Sequence, residues 1–563
     1  MITSHLRSTG IRVASALAVL GMLAIPATVA GAQATHHGIT YGGNVTAVAG
    51  PSASWTQNFN PITGGNNSNY GTIGLIYEPL VYFNGLSGKT TNWLASSYKW
   101  SKNLKTLSFT IRKGVKWSDG VAFGPADVYY SAELAVHNAV ADPGMDPFLV
   151  SKNPVTVKGD VVSFHFKTVN TTMLYYIGFN MYIVPKHIFS TYSNPTTNTN
   201  FPPVGTGPFE MLAKNFSPLS YKLTKNPNYW QKGKPYIDSI TYPAYSSNAD
   251  VETDLIAGKI QWGGSFVPNA QSVLVDHGAK GNFYWYDAAN NPMCLFLNNT
   301  KQPFSNVYVR RAISAALNRE VIYKQGEYGY ETPSNAGFVQ TQFLKKWGVP
   351  KIVKSIPATG NKKLAKADLA LAKKNPATAA ALKKTYNIDV ETGWSDWDNS
   401  AALMVSQLAA VGIHARVNQL NFSNPMPTAT LATGNFDMGL NWTSSGVPSP
   451  YPIFHDWMWS YYKEPVNKTA IGNWERYKNP KLDRLIAAYA ATATQSKQIA
   501  IMKKMEAIAA ADVPIVPVVN QALWYEGNDS TITGFPTKQH PYDLGPAFEN
   551  RWMEDVALHL HLK

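Results

Sequence analysis

Gly205-Thr206-Gly207 is the segment of this 563-residue chain that most resembles a phosphate cradle. A phosphate loop feeds a helix N-terminus and carries a Lys-Ser/Thr pair. Here Pro208-Phe209-Glu210-Met211 continues as a strand, so the segment reads as a turn. The histidines form no metal signature: His36-His37 lie near the N-terminus, and His559 and His561 lie at the extreme C-terminus, where fraying is expected. No HExxH, paired-cysteine or calcium-loop pattern occurs, and no metal or cofactor is expected. The only cysteine, Cys294, is flanked by Met293, Leu295 and Phe296, which reads as a buried thiol. One cysteine makes neither an internal disulfide nor a cysteine zinc site. No G-x-S-x-G or other nucleophile motif stands out, and carboxylates are scarce, although a catalytic carboxylate pair is a spatial feature that sequence does not display.

The aromatic residues carry more information. Trp442 ends an apolar strand and enters the Gly/Ser/Pro loop Thr443-Ser444-Ser445-Gly446, after Asn441. Trp394 and Trp397 sit in Gly393-Trp394-Ser395-Asp396-Trp397-Asp398-Asn399, and Trp55, Tyr77 and Trp262 lie at strand ends or loops. Trp faces, hydroxyls and Asn amides suit reversible binding of a polar ligand, whereas a lone Trp is more often a core anchor.

Composition limits the classes. Arg7 and Arg12 precede an apolar run over residues 13–25, followed by Pro26 and Ala30-Gly31-Ala32, a signal-peptide pattern with cleavage after residue 32. The run is too short to span a bilayer at about 20 residues. No cysteine adjoins the cleavage point, so an exported, non-lipidated protein is expected. The net charge of +14 gathers largely in residues 351–384, with nine Lys against one Asp. Lys362, Lys363, Lys366, Lys373 and Lys374 accompany Ala and Leu at helical spacing, the pattern of a solvated helix face and not of a nucleic-acid groove.

Strands and helices mix without regular βαβ alternation. Leu107, Phe109 and Ile111 alternate on one face of a strand; turns follow at Lys113-Gly114 and Ser118-Asp119-Gly120, around a short strand over residues 115–117, and Pro125 opens a helix. Pro202 and Pro203 break the chain before a new strand-rich block. Val309, Ala312, Ile313, Ala316 and Leu317 recur at helix spacing, as do Leu403, Leu408 and Val411, then Leu482, Leu485, Ile486 and Tyr489, and finally Ile501, Met505 and Ile508.

Residues 107–131, LSFTIRKGVKWSDGVAFGPADVYYS, resemble the signature of the family 5 extracellular solute-binding proteins, the binding components of ABC importers for oligopeptides, dipeptides, nickel and some oligosaccharides. Further blocks resemble the family in order: Val204-Gly205-Thr206-Gly207-Pro208-Phe209; Asn226-Pro227-Asn228-Tyr229-Trp230 with Ile237-Asp238-Ser239-Ile240; Leu255-Ile256-Ala257-Gly258-Lys259-Ile260; Pro303-Phe304 through Val309-Arg310-Arg311-Ala312-Ile313 to Arg319; and Tyr477-Lys478-Asn479-Pro480. The resemblance implies an α/β, two-lobed fold of the type II periplasmic-binding-protein kind with an accessory subdomain in lobe I (cluster C). The expected division is a signal peptide over 1–32, lobe I over 33–75, 203–296 and 525–563, an accessory subdomain over 76–202, and lobe II over 297–524. Hinge strands are expected near Leu297 and Leu523.

The resemblance also implies function: a monomeric, exported binding protein, not an enzyme, that closes on an oligopeptide and delivers it to a membrane ABC permease. It places Trp442, Asn441, Thr443, Ser444, Ser445 and Gly446 at the ligand cleft, with Trp394, Trp55, Tyr77 and Trp262 as further candidates. Peptide binders of the family carry an Asp shortly after this Trp to pair the ligand's α-ammonium. This chain has none there; its first downstream carboxylate is Asp456. Either another acid such as Glu78 substitutes, or the ligand lacks a free amine, which makes an oligosaccharide the alternative. From other classes, the alternatives are an extracellular carboxylate-dependent hydrolase and a cell-surface attachment protein using the Lys-rich face, and neither accounts for the ordered motifs.

Overall fold

A computed structural model describes residues 39–62, 68–286, 288–340, 343–420, 427–443 and 449–563. Residues Thr40–Lys563 form one compact unit. The expected signal peptide, His36-His37, and Ser444, Ser445 and Gly446 lie outside the described residues.

Three larger sheets organise the unit. The first has strand order Asn44–Thr46, Ser239–Pro243, Ser220–Lys225, Phe209–Ser217; its first pairing is parallel and the others antiparallel. The second is an antiparallel sheet of Ala95–Trp100, Thr106–Ile111, Val161–His165 and Val155–Lys158. Leu107, Phe109 and Ile111 are its buried face, following the alternation in the sequence. Pro125 stands at the first turn of helix Pro125–His137, where its missing N–H leaves no helical bond unmade, and the Asp127 carboxylate accepts from Gly124 N at 3.0 Å. The expected strand at 115–117 is a single bridge between Lys116 and Ala122, because two turns with φ of +80° at Gly114 and +89° at Gly120 leave too little chain between them for a ladder.

The third sheet has six strands, in the order Thr332–Pro333, Ile515–Ala522, Ala288–Leu297, Met438–Trp442, Thr385–Glu391, His414–Leu420. The last two pairings are parallel and the rest antiparallel. Helices Val307–Ala316 and Ser395–Ala409 pack their apolar stripes into its core, with Val309, Ala312, Ile313, Met404 and Leu408 fully buried. Cys294 is buried within this sheet, as its neighbours indicated. The Lys side chains at 362, 363, 366, 373 and 374 are all exposed, on and just beyond helix Lys362–Ala372.

Two chain segments join the six-stranded sheet to the first. Asn282–Tyr284 pairs with Glu526–Asn528, Trp285 N donates to Tyr525 O at 2.8 Å, and Ala288 then pairs with Ala522. The strand Ala288–Leu297 therefore belongs wholly to the six-stranded sheet, and the first crossing lies near residue 286 instead of Leu297. A continuous apolar run packs well on both sides of the strand, which hides the crossing from a sequence reading. The C-terminus is not frayed: His561–Leu562 pairs with Ile532–Thr533, and Leu562 N donates to Thr40 O at 3.1 Å.

Gly205 and Gly207 make the close approach that the turn reading requires. A Cβ at either would meet the Ile76 or Leu75 carbonyl oxygen at 2.0 or 2.3 Å.

Candidate functional site

A cavity of about 450 Å³ lies at the edge of the six-stranded sheet, closed by loops and helical segments from the rest of the unit. Ala49, Gly50, Tyr70 and Ser265 line it from the first sheet's side; Tyr175, Tyr176 and Phe179 from the accessory side; Trp394, Trp442 and Trp457 from the six-stranded side; and Gln521 and Trp524 from one crossing strand. The volume falls within the range of small-ligand pockets, about 300–1,000 Å³.

The sequence candidates separate. Trp442 ends its strand at the cavity, half-buried, with its ring 5.3 Å from Trp394 and 4.8 Å from Trp397. Trp394 also faces the cavity, whereas Trp397 is 2% exposed and braces both rings from behind. Asn441 and Thr443 are cavity residues, positioned by ladder pairing of Asn441 with Cys294 and by Thr443 N donating to Pro292 O at 3.2 Å. Trp55, Tyr77 and Trp262 are placed elsewhere. Trp55 packs edge-on against Tyr221, Tyr77 receives a hydrogen bond from Asn200, and Trp262 donates from Nε1 to Gly545 O at 2.6 Å. All three are core anchors, a role that sequence position alone does not distinguish from a ligand platform. Glu78 is likewise internal: it accepts from Trp93 and Trp230 at 2.9 Å each, and burial raises its pKa.

The cavity is acid-lined, which the sequence did not display. Asp142, Asp396, Asp456 and Glu549 line it against one cation, Arg551, among the described residues. Asp456 accepts from His455 Nδ1 at 2.7 Å and from Tyr176 OH at 3.2 Å. Asp142 Oδ2 accepts from Tyr461 OH at 2.8 Å, and its other oxygen accepts from Gly144 and Met145 amides. Burial raises the pKa of Asp396, and raises that of Glu549 to about 8 with help from Asp543. Arg551 lies over Phe179 and Tyr182 and donates to Asn180 O at 2.8 Å. Only Asp396 and Asp456 had any sequence cue, the first inside the Trp394–Trp397 segment and the second as the acid downstream of Trp442.

Several polar contacts tie the walls together across the cavity. Asn248 Nδ2 donates to Asp396 Oδ1 at 3.1 Å, Asn248 N to Gly393 O at 3.1 Å, and Trp394 Nε1 to Pro51 O at 3.4 Å. The Tyr176–Asp456 and Tyr461–Asp142 bonds join the accessory side to the six-stranded side. No group of three or more metal-ligating side chains occurs among the described residues.

The family model of bacterial extracellular solute-binding proteins, family 5 (middle region), matches residues 89–463, and the chain belongs to that family. It is a solute-binding protein of the ABC-importer kind with a two-lobed α/β fold. The glutathione-binding protein GsiB of Salmonella choleraesuis (strain SC-B67) is 26% identical over 489 residues, covering 81% of this chain and 86% of GsiB. Two solved structures share the fold. A mannohexaose-bound periplasmic oligopeptide-binding protein of Thermotoga maritima has a TM-score of 0.80 at 23% identity, covering 92% of this chain and 98% of its own. DppA of Helicobacter pylori, in complex with the peptide STSA, has a TM-score of 0.77 at 19% identity, covering 93% and 98%. These relatives are binding proteins, and members of the family are periplasmic or extracellular. No helix among the described residues is long and apolar enough to cross a membrane.

Proposed function

We propose that this protein, exported and without a lipid anchor, captures a short peptide between its two lobes and releases it unchanged to a membrane ABC permease, acting as a monomer without catalysis. The observation that carries this reading is the composition of the cavity wall. Residues from both lobes, from the accessory subdomain (Asp142 and the helical segment at Tyr175 and Tyr176) and from a crossing strand share one cavity, so contact with ligand and closure of the lobes are a single event. In this reading lobe II runs from about residue 288 to 522, the hinge comprises the paired crossings at 285–288 and 522–525, and the accessory subdomain remains 76–202. The cross-cavity bonds of Asn248 and Tyr176 belong to the closed state.

An oligosaccharide ligand is the second reading. The neutral donors and acceptors Asn291, Asn441, Thr443 and Gln521 beside the Trp394 and Trp442 rings favour it, since sugars stack on such faces and bond to neutral groups.

Calorimetry of the purified mature protein with tripeptides and with mannohexaose separates the two readings. Saturable peptide binding, a raised melting temperature and recovery of intact peptide are expected. Product accumulating beyond one equivalent overturns binding without turnover.

A further inference from the structure

We propose that the ligand is a basic peptide, bearing lysine or arginine side chains, whose cationic groups dock against Asp456 and Glu549 in the neighbourhood of Tyr175. This assignment deepens the peptide reading above and rests on it.

Glu549 is the first argument. It lines the cavity at 8% exposure, and among the described residues its carboxylate accepts no hydrogen bond and meets no cation. A carboxylate withdrawn from water without a partner is unfavourable and holds its proton, which is why burial lifts it to about 8. A ligand ammonium or guanidinium supplies the missing partner. The second argument is the imbalance of the wall, four carboxylates and one guanidinium with no lysine and no histidine. Arg551 is committed to the Phe179 and Tyr182 rings and the Asn180 carbonyl. The third is proximity. The Tyr175 phenol is pushed upward by burial and, beyond that, by both Asp456 and Glu549, so the two acids share one neighbourhood. Tyr176 and Tyr462 stand in the same relation to Asp456, giving a cation aromatic faces as well as charges.

The acidic wall is local. The whole chain carries +14, so the exterior repels a cation that the cavity attracts. Selectivity therefore resides in the enclosed site and not in long-range attraction.

The test is calorimetry with trilysine, trialanine and triglutamate, each with a free amine and carboxylate, and with mannohexaose. Trilysine is expected to bind at least about tenfold more tightly than trialanine, with the preference shrinking as salt rises. Glu549→Gln is expected to remove most of that preference, weakening trilysine binding more than trialanine binding; Asp456→Asn, which keeps an acceptor for Tyr176, should act in the same direction. Equal affinity for trilysine and trialanine overturns the basic-peptide assignment and leaves the peptide reading standing. Binding of mannohexaose with no tripeptide overturns both. A preference that survives in both folded variants overturns the assignment to these two acids.

Discussion

Asn248 reaches across the cavity to Asp396, donating a 3.1 Å hydrogen bond between two side chains that are 4% and 3% exposed. Asn248 begins helix Asn248–Ile256, Asp396 lies in the first turn of helix Ser395–Ala409, and Ser265 Oγ donates to the Asn248 side-chain oxygen Oδ1 at 3.1 Å. One amide thus fixes two helix starts that meet at the cavity.

Asn248→Ala is expected to leave the Asp396 oxygen without this donor and to weaken lobe closure. The loss is about 1–3 kcal/mol for an unsatisfied buried acceptor. It should appear as weaker ligand binding and a faster off-rate, with a smaller change in the melting temperature of the ligand-free protein. Unchanged ligand kinetics would show that the bond contributes nothing to closure.

Stability is expected to fall as pH rises. Burial lifts Asp543 to about 7 and Glu526 and Glu549 to about 8, and raises Asp396, whereas unfolded carboxylates titrate near 4. Between those limits the folded state holds protons that the unfolded state has released. The stabilisation is full below about pH 4, is lost as pH climbs through 7 to 8, and is absent above that. Thermal melts at fixed ionic strength should therefore give a lower melting temperature at pH 8.5 than at pH 5.5. A higher one would contradict these buried acids.

Trp442 and Trp397 should separate in their effects. Trp442 is half-buried at the cavity, and Trp442→Ala is expected to weaken ligand binding by about 1–3 kcal/mol with little loss of fold. Trp397 does not line the cavity and is 2% exposed; Trp397→Ala should lower stability by about 3–5 kcal/mol. Urea titration and calorimetry on both variants check the contrast, and equal stability losses would refute it.

Replacing Lys362, Lys363, Lys366, Lys373 and Lys374 together by Gln should leave ligand affinity within a few-fold. All five are exposed and none lines the cavity. A hundredfold loss, about 2.7 kcal/mol, would reveal a second site on this face.

What the sequence displayed is what local pattern encodes. The period of two in Leu107, Phe109 and Ile111, the helical recurrence from Val309 to Leu317 and the apolar flanks of Cys294 each state a burial that the fold carries out. Trp442 was legible because a strand running into a Gly/Ser/Pro loop must end at a surface. Glu549 was not, since nothing beside it in the chain marks an acid that joins Asp456 in one cavity wall only after folding. Tyr77 and Trp262 sit in the core for the complementary reason: an aromatic at a strand end turns inward or outward according to neighbours far away in sequence, such as Asn200 and Gly545. The His559–His561 terminus was expected to fray because its partners, Thr40 and Ile532, lie elsewhere in the chain.

The pairing of Thr40 with Leu562 bears on the contact order of the fold. Glu526–Asn528 pairs with Asn282–Tyr284, Leu562 bridges to Thr40, and Glu554 shares the Trp93 indole with Glu78. All six strands of the six-stranded sheet precede those later pieces in the chain. Asn282–Tyr284 and Thr40 therefore find their partners only across long stretches of chain, which raises the contact order of this part of the fold. Loss of Leu562 is in consequence a defect at Thr40, at the opposite end of the described residues.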